Sequence, residues 1–384
     1  MIIMKIIIKK ILYIVSTLKR SGPTNQLYNI IKYLDKDKFE FYLITLSPEP
    51  KDNRWKDYEA LGVNLHSLDL SRLQGFIYAK KRVKLLISEI KPDLIHTQGI
   101  RGDLISSNIK TIVPKIATIR NIPQIDYKMT YGSIAGGFMC IKHKNALKKI
   151  TCISVSNAVT ANLRKKYRIE NAFTIQNGVD TDAFFPANSD EKKILRKKLN
   201  LPLTGLIFIV SGHLTKRKNP LFILERWKEK YGFINNMHLV YIGSGNLLEQ
   251  CKLASNGIDN IHIIGRIDNV ADYLRCSDFF VSASIAEGLP NAVLEAMACG
   301  LPVLLSDIEP HREIMDLAPG AGFCYKTGIN DNFLLFFQKM MDSDRKTMKM
   351  ASLEAIKLNF SAKSMSEKYQ NAYIQIFSSA ESKA

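Results

Sequence analysis

Short apolar runs rich in β-branched residues alternate with longer amphipathic segments from one end of the chain to the other. This rhythm constrains the fold more than any other feature. In the first half the candidate strands are Ile11–Ser16, Phe39–Leu46, Asn64–Leu68, Leu94–Thr97, Lys115–Ile119, Thr151–Ser154 and Ala172–Gln176. Helical stretches such as Thr24–Leu34, Phe76–Glu89 and Asn157–Lys166 fall between them. The second half repeats the pattern with Leu206–Ser211, His238–Ile242, Asn260–Ile264, Asp278–Ser282, Pro302–Leu305 and Gly322–Tyr325, separated by helices at Pro220–Tyr231, Asn246–Ala254, Val270–Leu274 and Asn291–Cys299. Continuous apolar strands are buried on both faces, as in a parallel sheet covered by helices. Such alternation predicts doubly wound α/β sheets.

The strands are too many for one compact sheet, and 384 residues suit more than one domain. Two Rossmann-like domains are expected, 1–185 and 186–361, with the joint near the polar, turn-rich stretch Asn177-Gly178-Val179-Asp180-Thr181-Asp182. A highly charged helix, Asp190–Leu199, opens the second domain, and three helical patterns, Asn332–Met341, Arg345–Leu358 and Ala362–Phe377, end the chain. Two such domains facing a central cleft would bind ligands along the carboxyl ends of their strands. The loops after the strands are therefore where chemistry is sought.

Charge is uneven. Up to Phe185 there are 30 Lys and Arg against 15 Asp and Glu; beyond it, 24 against 21. The basic clusters are Lys80, Lys81, Arg82 and Lys84; Lys142, Lys144, Lys148 and Lys149; and Arg164, Lys165, Lys166 and Arg168. Such clusters attract anions: nucleic acid, an anionic membrane face or phosphorylated substrates. The six cysteines form no CxxC pair and suit neither a zinc site nor a disulfide framework, so they read as reduced, mostly buried thiols. The apolar N-terminal run is broken by Lys5, Lys9 and Lys10, too short and charged for a membrane span, and lacks a signal-peptide cleavage site. A cytoplasmic protein is expected, with its basic half free to touch a membrane.

The most informative stretch is Ala286-Glu287-Gly288-Leu289-Pro290-Asn291-Ala292-Val293-Leu294-Glu295, which follows a strand and opens a helix. Pro290 near the first turn and Gly300 past the last punctuate that helix. Its N-terminus offers free amides and the positive dipole end to a phosphate. Glu287 before the helix and Glu295 within it can reach two parts of one elongated ligand, and a carboxylate suits vicinal sugar hydroxyls. Next comes Ser211-Gly212-His213-Leu214-Thr215-Lys216-Arg217-Lys218-Asn219-Pro220, where three consecutive cations precede a helix and can neutralise a departing pyrophosphate. Gly243-Ser244-Gly245-Asn246 and Gly265-Arg266-Ile267-Asp268 follow the next two strands; around Arg266 the backbone can read a nucleobase edge. In the first half, Ser21-Gly22-Pro23-Thr24-Asn25 links the first strand to its helix but lacks a P-loop ending.

Taken in order, the Glu-x7-Glu segment, the Gly-x-Leu-x3-Lys-Asn-Pro loop, Gly-Ser-Gly, the Gly-Arg-x-Asp turn and Asn177-Gly178-Val179-Asp180 resemble those of retaining GT-B glycosyltransferases of the family 4 type. The resemblance covers nearly the whole chain and is strongest from about Ile153 to Glu313. It implies a nucleotide-sugar, most commonly a UDP-sugar, bound by the second domain. Glu295 would hold the ribose hydroxyls, Glu287 the transferred sugar or the reacting centre, and Lys218 the diphosphate, helped by amides around Gly288, Leu289, Asn291 and Ala292. The neighbourhood of Arg266 would take the base, Gly243 and His213 would also belong to the donor site, and Gly22 would let the first domain approach the donor phosphates. The C-terminal helix, 362–378, would pack back on the first domain.

Two positions depart from the family pattern. His213 stands where many members have Arg, so Arg217 is expected to supply that charge. Arg120, in Thr118-Ile119-Arg120-Asn121, stands where many have a histidine, and arginine cannot act as a general base. Arg120, Asn121 and His96 are the candidates on the acceptor side. The Asp-x-Asp triplets Asp35/Asp37, Asp180/Asp182 and Asp342/Asp344 lie away from the carboxyl ends of strands and read as surface features, so neither metal nor cofactor is expected. The leaving diphosphate is then met by Lys218, a neighbouring cation and the helix N-terminus. Same-face substitution with retention follows, the leaving phosphate oxygen taking the acceptor's proton. The basic first half suits a glycan acceptor on a lipid pyrophosphate at an anionic inner leaflet, in surface polysaccharide synthesis. Competing readings are an epimerase or phosphorylase on the same scaffold and a basic nucleic-acid-binding protein. No recognised nucleic-acid motif supports the latter, and an oxidoreductase lacks its Gly-x-Gly-x-x-Gly fingerprint.

Overall fold

The computed structural model describes residues 8–328 and 331–381. The first seven residues of the apolar N-terminal run lie outside them. The first unit carries a seven-stranded sheet: β1 (Lys9–Val15), β2 (Phe39–Thr45), β3 (Asn64–Ser67), β4 (Leu94–Gln98), β5 (Lys115–Ile119), β6 (Thr151–Ser154) and β7 (Ala172–Thr174). The second carries six strands: β8 (Leu206–Ser211), β9 (Met237–Ile242), β10 (Ile261–Gly265), β11 (Phe279–Ser282), β12 (Val303–Ser306) and β13 (Gly322–Tyr325). Each of these strands was expected from its apolar run. The orders are β3-β2-β1-β4-β5-β6-β7 and β10-β9-β8-β11-β12-β13, with parallel pairing throughout.

Strand order reverses between β1 and β4 in one sheet and between β8 and β11 in the other. At such a reversal the two following loops diverge to opposite faces and leave a crevice beyond the strand ends, the usual ligand position in doubly wound sheets.

The chain changes unit between Gly178 and Val179, and returns to the first unit at Ala362. Residues 179–185, expected to close the first domain, therefore belong to the second. The Val179 amide donates to the Phe360 carbonyl at 2.8 Å, and the Phe185 ring lies under the Arg275 guanidinium, 4.0 Å from centroid to carbon. On the other side of the joint, Gln26 Nε2 donates to the Gly178 carbonyl at 2.9 Å and fixes it to the first helix.

The helix Ala362–Glu381 packs on the first unit. Its Met365, Tyr369, Ala372, Tyr373 and Phe377 join a core with Ile11, Tyr13, Leu27, Ile30 and Phe39. A second core on the opposite face of that sheet joins Leu12, Ile14 and Ile44 to Ala79, Val83 and Ile87 of the helix Arg72–Ile90. The second unit centres on Phe208, Trp227, Phe279 and Phe337, with Phe208 stacked 4.9 Å from both Phe279 and Phe337. Each large side chain so buried contributes about 2 kcal/mol of hydrophobic stabilisation before chain entropy is counted.

Two long helices were not anticipated, Pro123–Tyr131 and Ser133–Leu147. Gly136 and Gly137 weaken the helical signal in the second. A Cβ on Gly136 would come 2.5 Å from the Tyr127 carbonyl, so the glycine serves close helix–helix contact. The six cysteines are free thiols, four of them buried.

Candidate active site

In the second unit the motif loops after β8, β9, β10 and β11 are hydrogen-bonded to one another at the carboxyl edge of the sheet. The Leu214 amide donates to the Ser244 carbonyl at 3.0 Å, Gly243 to Gly265 at 2.7 Å, and Ile285 to Arg217 at 2.8 Å. Gly243 has φ +131, and a Cβ there would lie 1.9 Å from the Gly212 carbonyl oxygen. The Gly-Ser-Gly turn is thus explained first by backbone packing between loops, whatever it does for a ligand.

Beyond the β8–β11 reversal, Glu287 holds two of the three consecutive cations. Arg217 Nη1 donates to Glu287 Oε2 at 3.0 Å and to the Ala286 carbonyl at 3.2 Å. Lys218 Nζ stands 2.7 Å from Glu287 Oε1. Lys216 turns outward and is exposed. Burial alone would raise the Glu287 pKa, but the charges of Lys218 and Arg217 outweigh it and hold the carboxyl at about 2. Two cations on one carboxylate leave a net positive group, a fit for an anion.

Glu295 lies in the helix Asn291–Ala298 and is half-buried. Burial pushes its pKa up to about 7, with the Lys218 charge working against the rise. Asn291 and Ala292 begin that helix half-buried, whereas Gly288 and Leu289, just before it, are buried. His213 and Arg266 are exposed on the loops after β8 and β10, and Gly22 is exposed at the start of the helix Gly22–Tyr33 in the first unit.

His311 escaped the sequence reading. It is fully buried in the helix Glu309–Asp316 after β12. Its Nδ1 gives a hydrogen to the Ser306 carbonyl at 2.7 Å, and Nε2 has no partner among the described residues. Burial lowers its pKa to about 4, while the Ser306 carbonyl and the Glu287 charge pull the other way. The only local signal was a histidine one turn after a strand.

In the first unit a cavity of about 240 Å³ opens at the β1–β4 reversal, lined by residues that include Gln98, Arg120, Asn121 and Tyr127. Arg120 Nη2 donates to Gln98 Oε1 at 2.8 Å, and Gln98 Nε2 is buried without a partner among the described residues. His96, expected on the acceptor side, is not there. It is fully buried, its Nδ1 2.8 Å from Tyr373 Oη and its Nε2 2.8 Å from Thr118 Oγ1. In a parallel sheet, residues one apart along a strand face opposite sides; His96 faces the C-terminal helix.

The same cavity has a hydrogen-bonded row that sequence reasoning missed. Asp103 accepts from Thr97 Oγ1 and, at 2.8 Å, from His143 Nε2, while His143 Nδ1 pairs with Tyr127 Oη at 2.8 Å. A carboxylate only accepts, so Nε2 carries the hydrogen. Its members come from β4 and three helices, and no sequence spacing connects them.

Each Asp-x-Asp triplet has a local backbone role. Asp35 accepts from the Asp37 amide, Asp180 from the Asp182 amide, and Asp344 caps the helix Arg345–Ala355. Among the described residues no group of three or more His, Cys, Asp or Glu converges, and no helix is long and apolar enough to cross a membrane.

Comparison with known proteins agrees in both halves. Residues 191–355 match the model for glycosyl transferases group 1, and residues 20–183 that for Glycosyltransferase Family 4. The O-antigen biosynthesis glycosyltransferase WclY of Escherichia coli is 25% identical over 382 residues, covering 96% of this chain and 99% of the relative. An Escherichia coli UDP-Gal:alpha-D-GlcNAc-diphosphoundecaprenol alpha-1,3-galactosyltransferase is 35% identical over 143 residues, 35% of this chain and 36% of that protein. The crystal structure of Anabaena Alr3699/HepE in complex with UDP superposes with a TM-score of 0.76 at 14% identity, covering 95% of this chain and 100% of the other.

Proposed function

The chain is a glycosyltransferase of the GT-B fold and family 4 type, and from this we propose that it moves a sugar from a nucleotide-diphosphate-sugar to a glycan acceptor in polysaccharide biosynthesis. UDP is the favoured nucleotide, and retention of anomeric configuration the favoured outcome. The observation that carries this reading is the grip of one buried carboxylate, Glu287, on both Arg217 and Lys218 beside the start of the helix that bears Glu295.

In the proposed reaction the acceptor hydroxyl oxygen bonds to the anomeric carbon as the bond from that carbon to the phosphate oxygen breaks. The electron pair leaves with the nucleoside diphosphate, whose oxygen takes the acceptor's proton on the same face. Arg217 and Lys218 stabilise the charge that develops there, with no metal required, a type of effect worth about 3 kcal/mol per well-placed donor. Glu287, occupied by two cations, positions them and is poorly placed to serve as a free nucleophile. Glu295 accepts hydrogen bonds from the ribose hydroxyls.

The acceptor is assigned to the first unit. Gln98 Nε2 and Arg120 are donors at its cavity, and Tyr127 Oη, backed by His143 and Asp103, offers a lone pair to a hydroxyl. Arg120 binds rather than transfers protons, because it keeps its charge. A lipid-linked saccharide is the favoured acceptor, supported by the name of the galactosyltransferase relative, and would bring the enzyme to the inner face of an anionic membrane. Nucleic acid has no part in this scheme.

Thermal-shift titration with UDP-, GDP- and ADP-glucose tests the donor side. The wild type should be stabilised by one nucleotide series, and Glu295→Ala and Lys218→Ala should each lose most of the shift. A shift that both variants keep would remove these side chains from the donor site. Conversion of the labelled sugar to an isomer without transfer would favour the epimerase reading.

A further inference from the structure

A second hollow of the first unit, about 480 Å³, is lined by the helices Arg72–Ile90, Ile100–Ser107 and Ser133–Leu147 and the residues just after the last two. Five cations line it, Arg72, Lys80, Arg101, Lys142 and Lys149, and no carboxylate does. None of the five has an ion-pair partner among the described residues; Arg101 Nη1 donates to Ser47 Oγ at 2.5 Å. The Arg101 guanidinium lies close over Gly75, where a Cβ would come 2.8 Å from Nη2. Gathering like charges without counter-charges costs free energy, and a bound anion offsets that cost.

The walls rise into apolar side chains. Leu73, Phe76 and Ile77 share a helix face with Lys80, and Ile134, Phe138 and Ile141 share one with Lys142, by their spacing of three and four residues. Phe76 is 87% exposed and Ile134 92%. Water is a poor solvent for such a rim. Between the cations the lining mixes Phe76, Leu104, Ile105 and Ala146 with Ser107, Asn108 and Asn145, and above it the rim is apolar rather than polar, which suits a lipid better than a phosphosaccharide. Cations set among exposed apolar side chains match a bilayer surface, where phosphates lie just above the acyl boundary.

We propose that this basic groove and its apolar rim seat an anionic membrane lipid and hold the first unit against a bilayer. The inference rests on the membrane-side reading above and gives it a location.

Co-sedimentation with phosphatidylcholine vesicles, with and without phosphatidylglycerol, tests it. The groove variant is Arg72→Glu/Lys80→Glu/Lys142→Glu and the rim variant Phe76→Ser/Phe138→Ser. Lys197→Glu/Lys228→Glu/Lys230→Glu makes the same charge change on exposed positions of the second unit. All these side chains are exposed, and a circular-dichroism melt verifies folding. The wild type and the second-unit variant should sediment with the anionic vesicles. The groove variant should lose about tenfold or more in partition. The rim variant should lose about tenfold at physiological salt, where exposed charges are screened. Equal binding by the groove and second-unit variants would overturn the groove while leaving a membrane-side enzyme intact. A wild type that ignores both vesicles would sink both ideas. Tighter binding to a short RNA duplex than to the vesicles, lost in the groove variant, would reassign the face to nucleic acid.

Discussion

His96 in β4 and Tyr373 in the C-terminal helix meet at 2.8 Å across 277 residues of chain, ring nitrogen to hydroxyl. Tyr373 in turn lies 3.2 Å from Tyr13 Oη, and Thr118 Oγ1, on the other side of the imidazole, 3.1 Å from Tyr369 Oη. This buried polar row holds the returning helix on the first sheet. Burial, and then the charge of Arg120, lowers the His96 pKa to about 3. The folded value is depressed below the unfolded ~6.5, so the stabilisation is full above pH ~6.5 and is lost as pH falls toward 3. Urea unfolding at pH 7.5 and pH 5 should show the wild type losing stability on acidification. His96→Gln should be less stable at pH 7.5, by about 1–3 kcal/mol, with a flatter pH dependence. An equally steep dependence in the variant would acquit His96.

Glu295 titrates with the opposite consequence. Its folded pKa, about 7, lies above the ordinary carboxyl value, so the folded protein holds a proton there that the unfolded chain has released. Its contribution to stability falls as pH rises from the ordinary value through 7. Ribose hydroxyls need the ionised form. Donor binding near pH 6 should therefore release up to one proton, seen by calorimetry as a binding enthalpy that changes with buffer. Glu295→Gln should abolish the buffer dependence and weaken binding about tenfold.

Glu287→Gln leaves Arg217 and Lys218 without their counter-charge. Breaking a fully buried pair costs ~3–5 kcal/mol; these cations are partly exposed, so a loss of about 1–3 kcal/mol is expected. Sugar transfer should fall about 10²–10³-fold. Inorganic pyrophosphate should raise the melting temperature of this variant more than that of the wild type, because the freed cations bind it better.

Tyr127→Phe removes the hydroxyl that His143 supports. The KM for acceptor should rise about fivefold, the worth of roughly one hydrogen bond, while KM for the donor stays constant. A change in the donor constant alone would displace Tyr127 from the acceptor site.

Gly243→Ala should destabilise the second unit by about 3 kcal/mol or more, since the new Cβ meets the Gly212 carbonyl and φ +131 is unfavourable for alanine. A melting temperature within two or three degrees of wild type would contradict this.

The strand list was legible because parallel strands buried on both faces leave continuous apolar runs such as Leu206–Ser211. The helix at Ser133–Leu147 was not, since its Gly136 belongs to a tertiary contact. In the donor half, Glu287, Arg217, Lys218 and Glu295 could be named because each sits in the loop or helix that follows a strand, which the fold brings to one edge. His96 was placed beside the acceptor, yet it lies within β4 itself and its side chain faces the C-terminal helix. Asp103, His143 and Tyr127 gave no signal at all.

What can be read residue by residue is periodicity, punctuation and sign of charge, all local properties; they account for two parallel α/β sheets, the loops that carry chemistry and a basic first half. Convergence is not local. That Arg217 and Lys218 share Glu287 while Lys216 faces water, that His96 serves a helix rather than a substrate, and that Lys80, Lys142 and Lys149 from two separate runs border one hollow all depend on strand order and helix packing. Those are set by burial of side chains far apart in the chain, which no short window of sequence contains.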